Sequence, residues 1–143
     1  MTAVPHILIA TDADWVLDEV TSALAGDGNS FTLCRSGKDV GPAILDRAPD
    51  LAVLDLQMGN MGAMAVTMHM RLEHSGGRLP YVPVLVLLDR RADLHLARRS
   101  GAEGWIVKPL DSLRLRRASK ALLAGGTYTE GTETPAGAAR VAG

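Results

Sequence analysis

The sequence predicts an α/β protein, a doubly wound five-stranded parallel sheet. Three observations carry this. Short, nearly continuous apolar runs recur along the chain, as strands covered on both faces require. Segments with apolar residues at helical spacing separate them. The length, 143 residues, suits one domain with a full core.

The elements follow in order. His6 to Ala10 is an apolar run fit for a buried strand. From Trp15 onward, Val16, Leu17, Val20, Ala23 and Leu24 share one helix face, and Gly26 and Gly28 end that helix. Phe31 to Arg35 alternates apolar and polar, a second strand. Asp39 to Arg47 is a short helix. Pro42 is tolerable only in its first turn, so Asp39 is preferred to Ser36 as its cap. Leu51 to Leu54 is a third strand, with Asp55 at its end, and Ala63 to Glu73 is a Met-rich helix. Val82 to Leu88 is the strongest strand signal. Ala92 to Arg99 is helical and stops at Gly101. Trp105 to Val107 is a short strand, and Leu110 to Leu123 an amphipathic helix with leucines among basic residues. The domain is thus residues 1–123. Residues 124–143, rich in Gly, Ala and Thr, are expected to be a flexible tail, unable to bury an apolar face.

Composition narrows the function classes. Aromatics make up only 3%, so the core is aliphatic and Met-rich. The lone Cys34 excludes a disulfide framework and a multi-Cys metal site, and reads as an inert buried thiol. The start, Met-Thr-Ala-Val-Pro-His, lacks a secretory pattern, and no apolar run approaches the roughly 18 residues of a membrane span. A cytoplasmic protein with no membrane partner is expected. Net charge is −1 but uneven. Residues 1–60 hold nine acids against three bases, and residues 89–124 nine bases against four acids. These read as solvated helix faces or as a binding face.

Chemistry collects at the strand ends. Asp12 follows the first strand, Asp55 ends the third, Leu88 the fourth and Lys108 the fifth. Parallel strands bring such positions to one rim, where ligands of open α/β sheets bind. One strand-end Asp is an ordinary helix cap. Two carboxylates with a lysine are more, because carboxylates about 4 Å apart repel by about 4 kcal/mol at an effective dielectric of about 20. Mg²⁺ or the ammonium relieves that repulsion. A carboxylate so placed suits nucleophilic attack on a phosphoryl group.

Four stretches then resemble the receiver domain of two-component response regulators, the flavodoxin-like (βα)₅ fold of the chemotaxis regulator. They are Ile7-Leu8-Ile9-Ala10-Thr11-Asp12, Pro49 to Met58, Val82 to Leu87, and Gly101 to Leu110. The resemblance spans about His6 to Leu123. It implies that Asp55 accepts a phosphoryl group from a histidine kinase or phosphotransfer protein. It also implies that Asp12, Asp55 and the Gln57 carbonyl hold Mg²⁺, and that Lys108 pairs with Asp55 and then with the phosphoryl oxygens. Pro109 falls where the family often has a cis peptide. Trp105 falls at the aromatic switch position, and Gln57 and Arg90 at positions that tune dephosphorylation.

Three residues depart from the pattern. Thr11 replaces an acidic residue, which implies weaker Mg²⁺ binding. Leu88 replaces the switch Thr or Ser. Gly59-Asn60-Met61-Gly62 replaces a Pro-containing loop, which implies more flexibility. The lost hydroxyl bond to a charged group is worth about 1.5–3 kcal/mol. A complete two-state shift needs about 5.5 kcal/mol. Phosphorylation is therefore expected to move this chain less than an ordinary receiver.

Other residues carry plainer readings. His6, His69, His74 and His95 are expected at the surface or boundary, without metal spacing. Met58, Met61, Met64, Met68 and Met70 read as core filling, or alternatively as a plastic partner surface. Trp15, just past the acidic loop, reads as a helix-start packing residue, or alternatively as one that packs near the mouth of the site.

The resemblance implies a stand-alone response regulator in phosphorelay signal transduction, a phosphoprotein that is no enzyme beyond slow self-dephosphorylation. Its output would pass through residues 89–123 to a downstream protein or to a homodimer. Nucleic acid fits less well, since no groove-reading motif or stacking aromatics accompany the basic residues. The alternative is a pseudo-receiver, a protein-binding module independent of phosphorylation. A flavodoxin-like cofactor enzyme fits poorly, because Thr11-Asp12-Ala13-Asp14-Trp15 would present carboxylates to a phosphate.

Overall fold

Alternating strand side chains point to opposite faces of a sheet, and in this chain both sets are apolar. The computed structural model describes residues 4–26, 28–59 and 61–130. Its elements are β1 (His6–Ala10), α1 (Asp14–Ala25), β2 (Ser30–Cys34), α2 (Val40–Asp46), β3 (Leu51–Asp55), α3 (Ala63–Ser75), β4 (Val84–Leu88), α4 (Leu94–Ser100), β5 (Gly104–Val107) and α5 (Ser112–Leu123). Short 3₁₀ turns, Gly37–Asp39 and Arg91–Asp93, lead into α2 and α4. The strands form one parallel sheet in the order β2-β1-β3-β4-β5.

The two sets of strand side chains build two cores. Ile7, Ile9, Val53, Leu85, Leu87 and Ile106 pack with Val16, Val20, Leu24 and Leu115 from α1 and α5. Leu8, Leu54, Val86 and Leu88 pack with Ile44, Val66, Met70 and Ala97 from α2, α3 and α4. β1, β3 and β4 are buried at every position, whereas β2 at the sheet edge is half-exposed. That is why only the second strand alternates in sequence. The doubly wound sheet is as expected, with strand and helix ends shifted by one or two residues.

Several expectations need correction. Asp39 does stand at the N-cap position of α2, but its side chain accepts no capping bond, and a 3₁₀ turn from Gly37, directly after the extended Ser36, runs into the helix. Residue 37 itself has room only for glycine, since a Cβ there would stand 1.9 Å from the Met61 carbonyl oxygen. His6 is not at the surface but only 3% exposed, bonded through its ring nitrogens to Ser30 Oγ (2.8 Å) and Thr32 Oγ1 (2.6 Å). Burial above all, with the Arg47 charge, holds its pKa below 6.5. Cys34 is buried as expected, and burial, with the Asp39 carboxylate, pushes its thiol up to about 11. Met70 fills the core, whereas Met68 is exposed.

The largest correction concerns the tail. Residues 124–130 fold back along β5, where Tyr128 bridges Gly104 in parallel. Composition missed this because the segment buries little apolar area and is held by hydrogen bonds. The rest of that tail, 131–143, lies outside the described residues. No helix among the described residues is long and apolar enough to cross a membrane.

Candidate functional site

Parallel strands deliver their C-terminal ends to one rim, and three side chains meet there. Asp55 ends β3 and is 3% exposed. Lys108 follows β5, its side chain 13% exposed, and Nζ donates to Asp55 Oδ1 at 2.6 Å. Thr11 follows β1, and its hydroxyl donates to Asp55 Oδ2 at 2.7 Å. The same hydroxyl accepts from Ala13 N–H at 3.1 Å, so it is oriented by the start of α1. Asp55 therefore keeps one partner on each carboxylate oxygen.

Asp12 lies on the same rim, exposed, and its Oδ2 accepts from the Gly59 N–H at 2.9 Å. This bond ties the loop after β1 to the loop after β3. Gly62 is required in the latter, since a Cβ there would sit 2.6 Å from the Leu56 carbonyl oxygen. Gln57 is exposed two residues past Asp55. Asn60 lies outside the described residues. The Lys108–Pro109 peptide is cis.

One rim residue escaped the sequence reading, and a second was placed near the site only as the less favoured of two readings. Asp89, directly after β4, accepts from Lys108 Nζ at 2.8 Å. Leu88 was expected at this rim, but it is fully buried in the α2–α4 core together with Trp105. The next residue points the other way, so the carboxylate reaches the lysine. The signal was available: Asp89 is the first residue past the strongest strand. Trp15 is the other. It is 53% exposed, and the Lys108 ammonium stands 5.5 Å from its ring centre, so it is no packing residue.

The electrostatics follow from these contacts. Burial disfavours the Lys108 ammonium, but the bonds it donates to Asp55 and Asp89, with their charges, outweigh burial and hold its pKa above the usual lysine value. Thr11 removes one carboxylate from the rim and Asp89 supplies another on the far side of the lysine. The donors at Asp12, Asp55 and the Gln57 carbonyl are all hard oxygens. Mg²⁺ typically takes one or two carboxylates and fills the rest with waters and phosphate oxygens, so this set fits it. Among the described residues no group of three or more His, Cys, Asp or Glu forms a denser cation site.

Trp105, the expected switch aromatic, is 6% exposed. Its indole N–H donates to the Glu130 carbonyl oxygen at 3.0 Å. The partner is a backbone group of the C-terminal segment, which lies outside the pattern that singled Trp105 out.

Known proteins show the same arrangement of chain. Residues 7–120 match the response regulator receiver domain family. The transcriptional regulatory protein CseB of Streptomyces coelicolor is 29% identical over 146 aligned residues, covering 96% of this chain and 58% of CseB. The chain thus spans little more than half the length of that relative. PilH of Pseudomonas aeruginosa is 24% identical, covering 84% of this chain and 98% of PilH. Two solved structures share the fold. The signal receiver domain of a histidine kinase from Syntrophus aciditrophicus has a TM-score of 0.76 at 24% identity, covering 85% of this chain and 92% of that one. The chemotaxis response regulator CheY4 of Vibrio cholerae has a TM-score of 0.74 at 18% identity, covering 84% and 99%. With 114 consecutive residues matched on the sheet and rim described above, the chain belongs to the response regulator receiver domain family, the signal-accepting modules of two-component systems.

Proposed function

We propose that Asp55 accepts a phosphoryl group, and that this chain signals through protein contact. The observation that supports the reading is the Asp55 carboxylate, 3% exposed and 2.6 Å from the Lys108 ammonium at the open end of the strands. Receiver domains take their phosphoryl groups from histidine kinases or phosphotransfer proteins. In the transfer, an Asp55 oxygen attacks phosphorus, the bond from phosphorus to the donor imidazole breaks, and that electron pair leaves with the imidazole nitrogen. An acyl phosphate remains on Asp55.

The chain's own groups have definite work. Lys108 holds the carboxylate in place and moves its ammonium to the phosphoryl oxygens as their charge arrives. Thr11 orients the second carboxylate oxygen through its hydroxyl. Asp12, Asp55 and the Gln57 carbonyl would hold Mg²⁺, which supplies charge neutralisation to the phosphoryl oxygens. One acidic residue fewer beside that set makes the binding weak. Leu88, buried in the same core as Trp105, offers no hydroxyl to the phosphoryl group. Phosphorylation therefore shifts the structure less than in a receiver that has one. Turnover is limited to slow loss of the acyl phosphate, so the chain is not an enzyme in the ordinary sense. The stand-alone organisation belongs to the same proposal and is supported by PilH, matched over 98% of its length.

The test is incubation with a small phosphodonor and Mg²⁺, followed by intact mass. The expected result is a phosphoryl mass gain that disappears in Asp55→Asn and shrinks when Mg²⁺ is chelated. No gain in the wild type, or an equal gain in Asp55→Asn, overturns the proposal.

A further inference from the structure

β5 is one of the two outer strands of the sheet, and an outer strand presents unpaired N–H and C=O groups to any extended segment. The chain fills this edge with its own residues. After α5 it turns at Gly125, whose φ of +87° suits glycine. Trp105 N–H then donates to the Tyr128 carbonyl at 2.9 Å, and Tyr128 N–H donates to the Glu103 carbonyl at 3.2 Å. Gly104 makes the approach possible, because a Cβ there would stand 2.6 Å from the Tyr128 oxygen.

Glu130 completes the contact with its side chain. Its Oε1 accepts from Val107 N–H at 3.0 Å, where a further strand residue would offer a carbonyl. Arg114 Nη1 donates to both carboxylate oxygens, at 2.7 and 2.9 Å, and Tyr128 OH donates to Oε2 at 3.2 Å. Arg114 is itself aimed by Asp111 and by the carbonyls of Val107 and Pro109. The Trp105 indole N–H reads the Glu130 carbonyl. Backbone pairing along an edge, a positioned guanidinium for a carboxylate and an indole donor for a carbonyl are the parts of a peptide-recognition groove.

We propose that the β5 edge is a docking site for an extended segment of a partner protein carrying an aromatic residue and, two positions later, an acidic one. The chain holds it closed in cis with residues 127–130. The proposal rests on the β5 edge and Arg114, and does not require phosphorylation of Asp55. Three residues, 124–126, tether the segment to α5, and so short a tether gives a high effective concentration. A segment in trans must therefore compete with it, and its apparent affinity falls by the fraction of time the edge is open.

The test uses the full chain, labelled with ¹⁵N, and a blocked peptide Gly-Thr-Tyr-Thr-Glu-Gly, the sequence of residues 126–131. The chain has two tryptophans, so the Trp105 indole signal is assigned with Trp15→Phe. Glu130→Gln, and separately Tyr128→Ser with Glu130→Gln, loosen the segment. In both, the Trp105 indole signal is expected to move and the Val107 amide to exchange about tenfold faster. Added peptide is expected to return the indole signal to its wild-type position, with an apparent Kd about tenfold lower than for the wild type. A peptide with Gln for Glu is expected to bind about tenfold more weakly. The proposal is overturned if the peptide binds variant and wild type alike, if the Gln peptide binds equally well, or if the indole signal is the same in all forms. A dimer by sedimentation, with the segment exchanged between copies, would also overturn the assignment in cis.

Discussion

β5 serves two charged clusters, one past its C-terminal end and one along its outer edge. Past the end, Lys108 stands between Asp55 and Asp89, with side chains 13%, 3% and 32% exposed. Along the edge, Arg114 stands between Asp111 and Glu130, 27%, 52% and 18% exposed. Each is a cation between two carboxylates, yet they differ in how they are assembled. The first joins three strand ends that the sheet brings together. The second joins a helix start to a segment that returns after α5. Strand ends of one sheet hold the first, whereas hydrogen bonds, one ion pair, the Tyr128 ring against the core and a short tether hold the second. The difference teaches that a polar cluster gains its chemistry from its support: a fixed nucleophile at the rim, a displaceable ligand at the edge.

The strongest way to break this comparison is to remove each cation in turn. Lys108→Ala strands a buried carboxylate and should cost about 3 kcal/mol in urea unfolding, the lower end for a broken buried pair. Adding Asp55→Asn to it should recover much of that loss, a coupling a double-mutant cycle reads directly. Arg114→Ala should cost about 1 kcal/mol, the upper end for a pair that still reaches water, because Arg114 and Glu130 are only partly buried. Equal losses from the two single variants would contradict the contrast in support. Thr11→Val sharpens the rim side. It removes a hydrogen bond to a charged oxygen and should cost about 1.5–3 kcal/mol. An unchanged midpoint would mean that Thr11 does not hold Asp55 in solution.

The smallest effect belongs to the opposite end of the sheet. His6 has its pKa held below 6.5 in the folded chain by burial and Arg47. The unfolded chain therefore takes up that proton first as the pH falls. The stability this gives is fully present above 6.5 and is lost as the pH falls from 6.5 toward the folded value. Denaturation midpoints from pH 7 to 5 should decline more in the wild type than in His6→Gln. Parallel profiles would show that the ring is not sheltered.

The rim was legible to different degrees. Asp12, Asp55 and Lys108 could be named because each falls within two residues of the end of an apolar run, and parallel strands align such ends without further information. Asp89 was hidden by Leu88, the last residue of the same run, although one step along a strand reverses the side-chain direction. Trp15 was legible only as an alternative, because a tryptophan at a helix start ordinarily packs inward; here it lies at the rim with its ring 5.5 Å from the Lys108 ammonium. Asp39 was legible as the residue before α2, but not its lack of a capping bond, because the 3₁₀ turn before it puts its backbone in the helical region rather than the extended one a cap ordinarily takes.

The chain by itself determined the sheet and the rim. Both arise from period and order: apolar runs that must be buried on two faces, and strand ends that parallel connection aligns. Only the tertiary structure decided what becomes of Trp105, Arg114 and residues 127–130. Their partners are backbone groups and one carboxylate far away in sequence, and a hydrogen bond leaves no period in composition. A Gly- and Thr-rich segment reads as solvent-bound until the unpaired edge of β5, and the glycine that lets it approach, are seen to receive it.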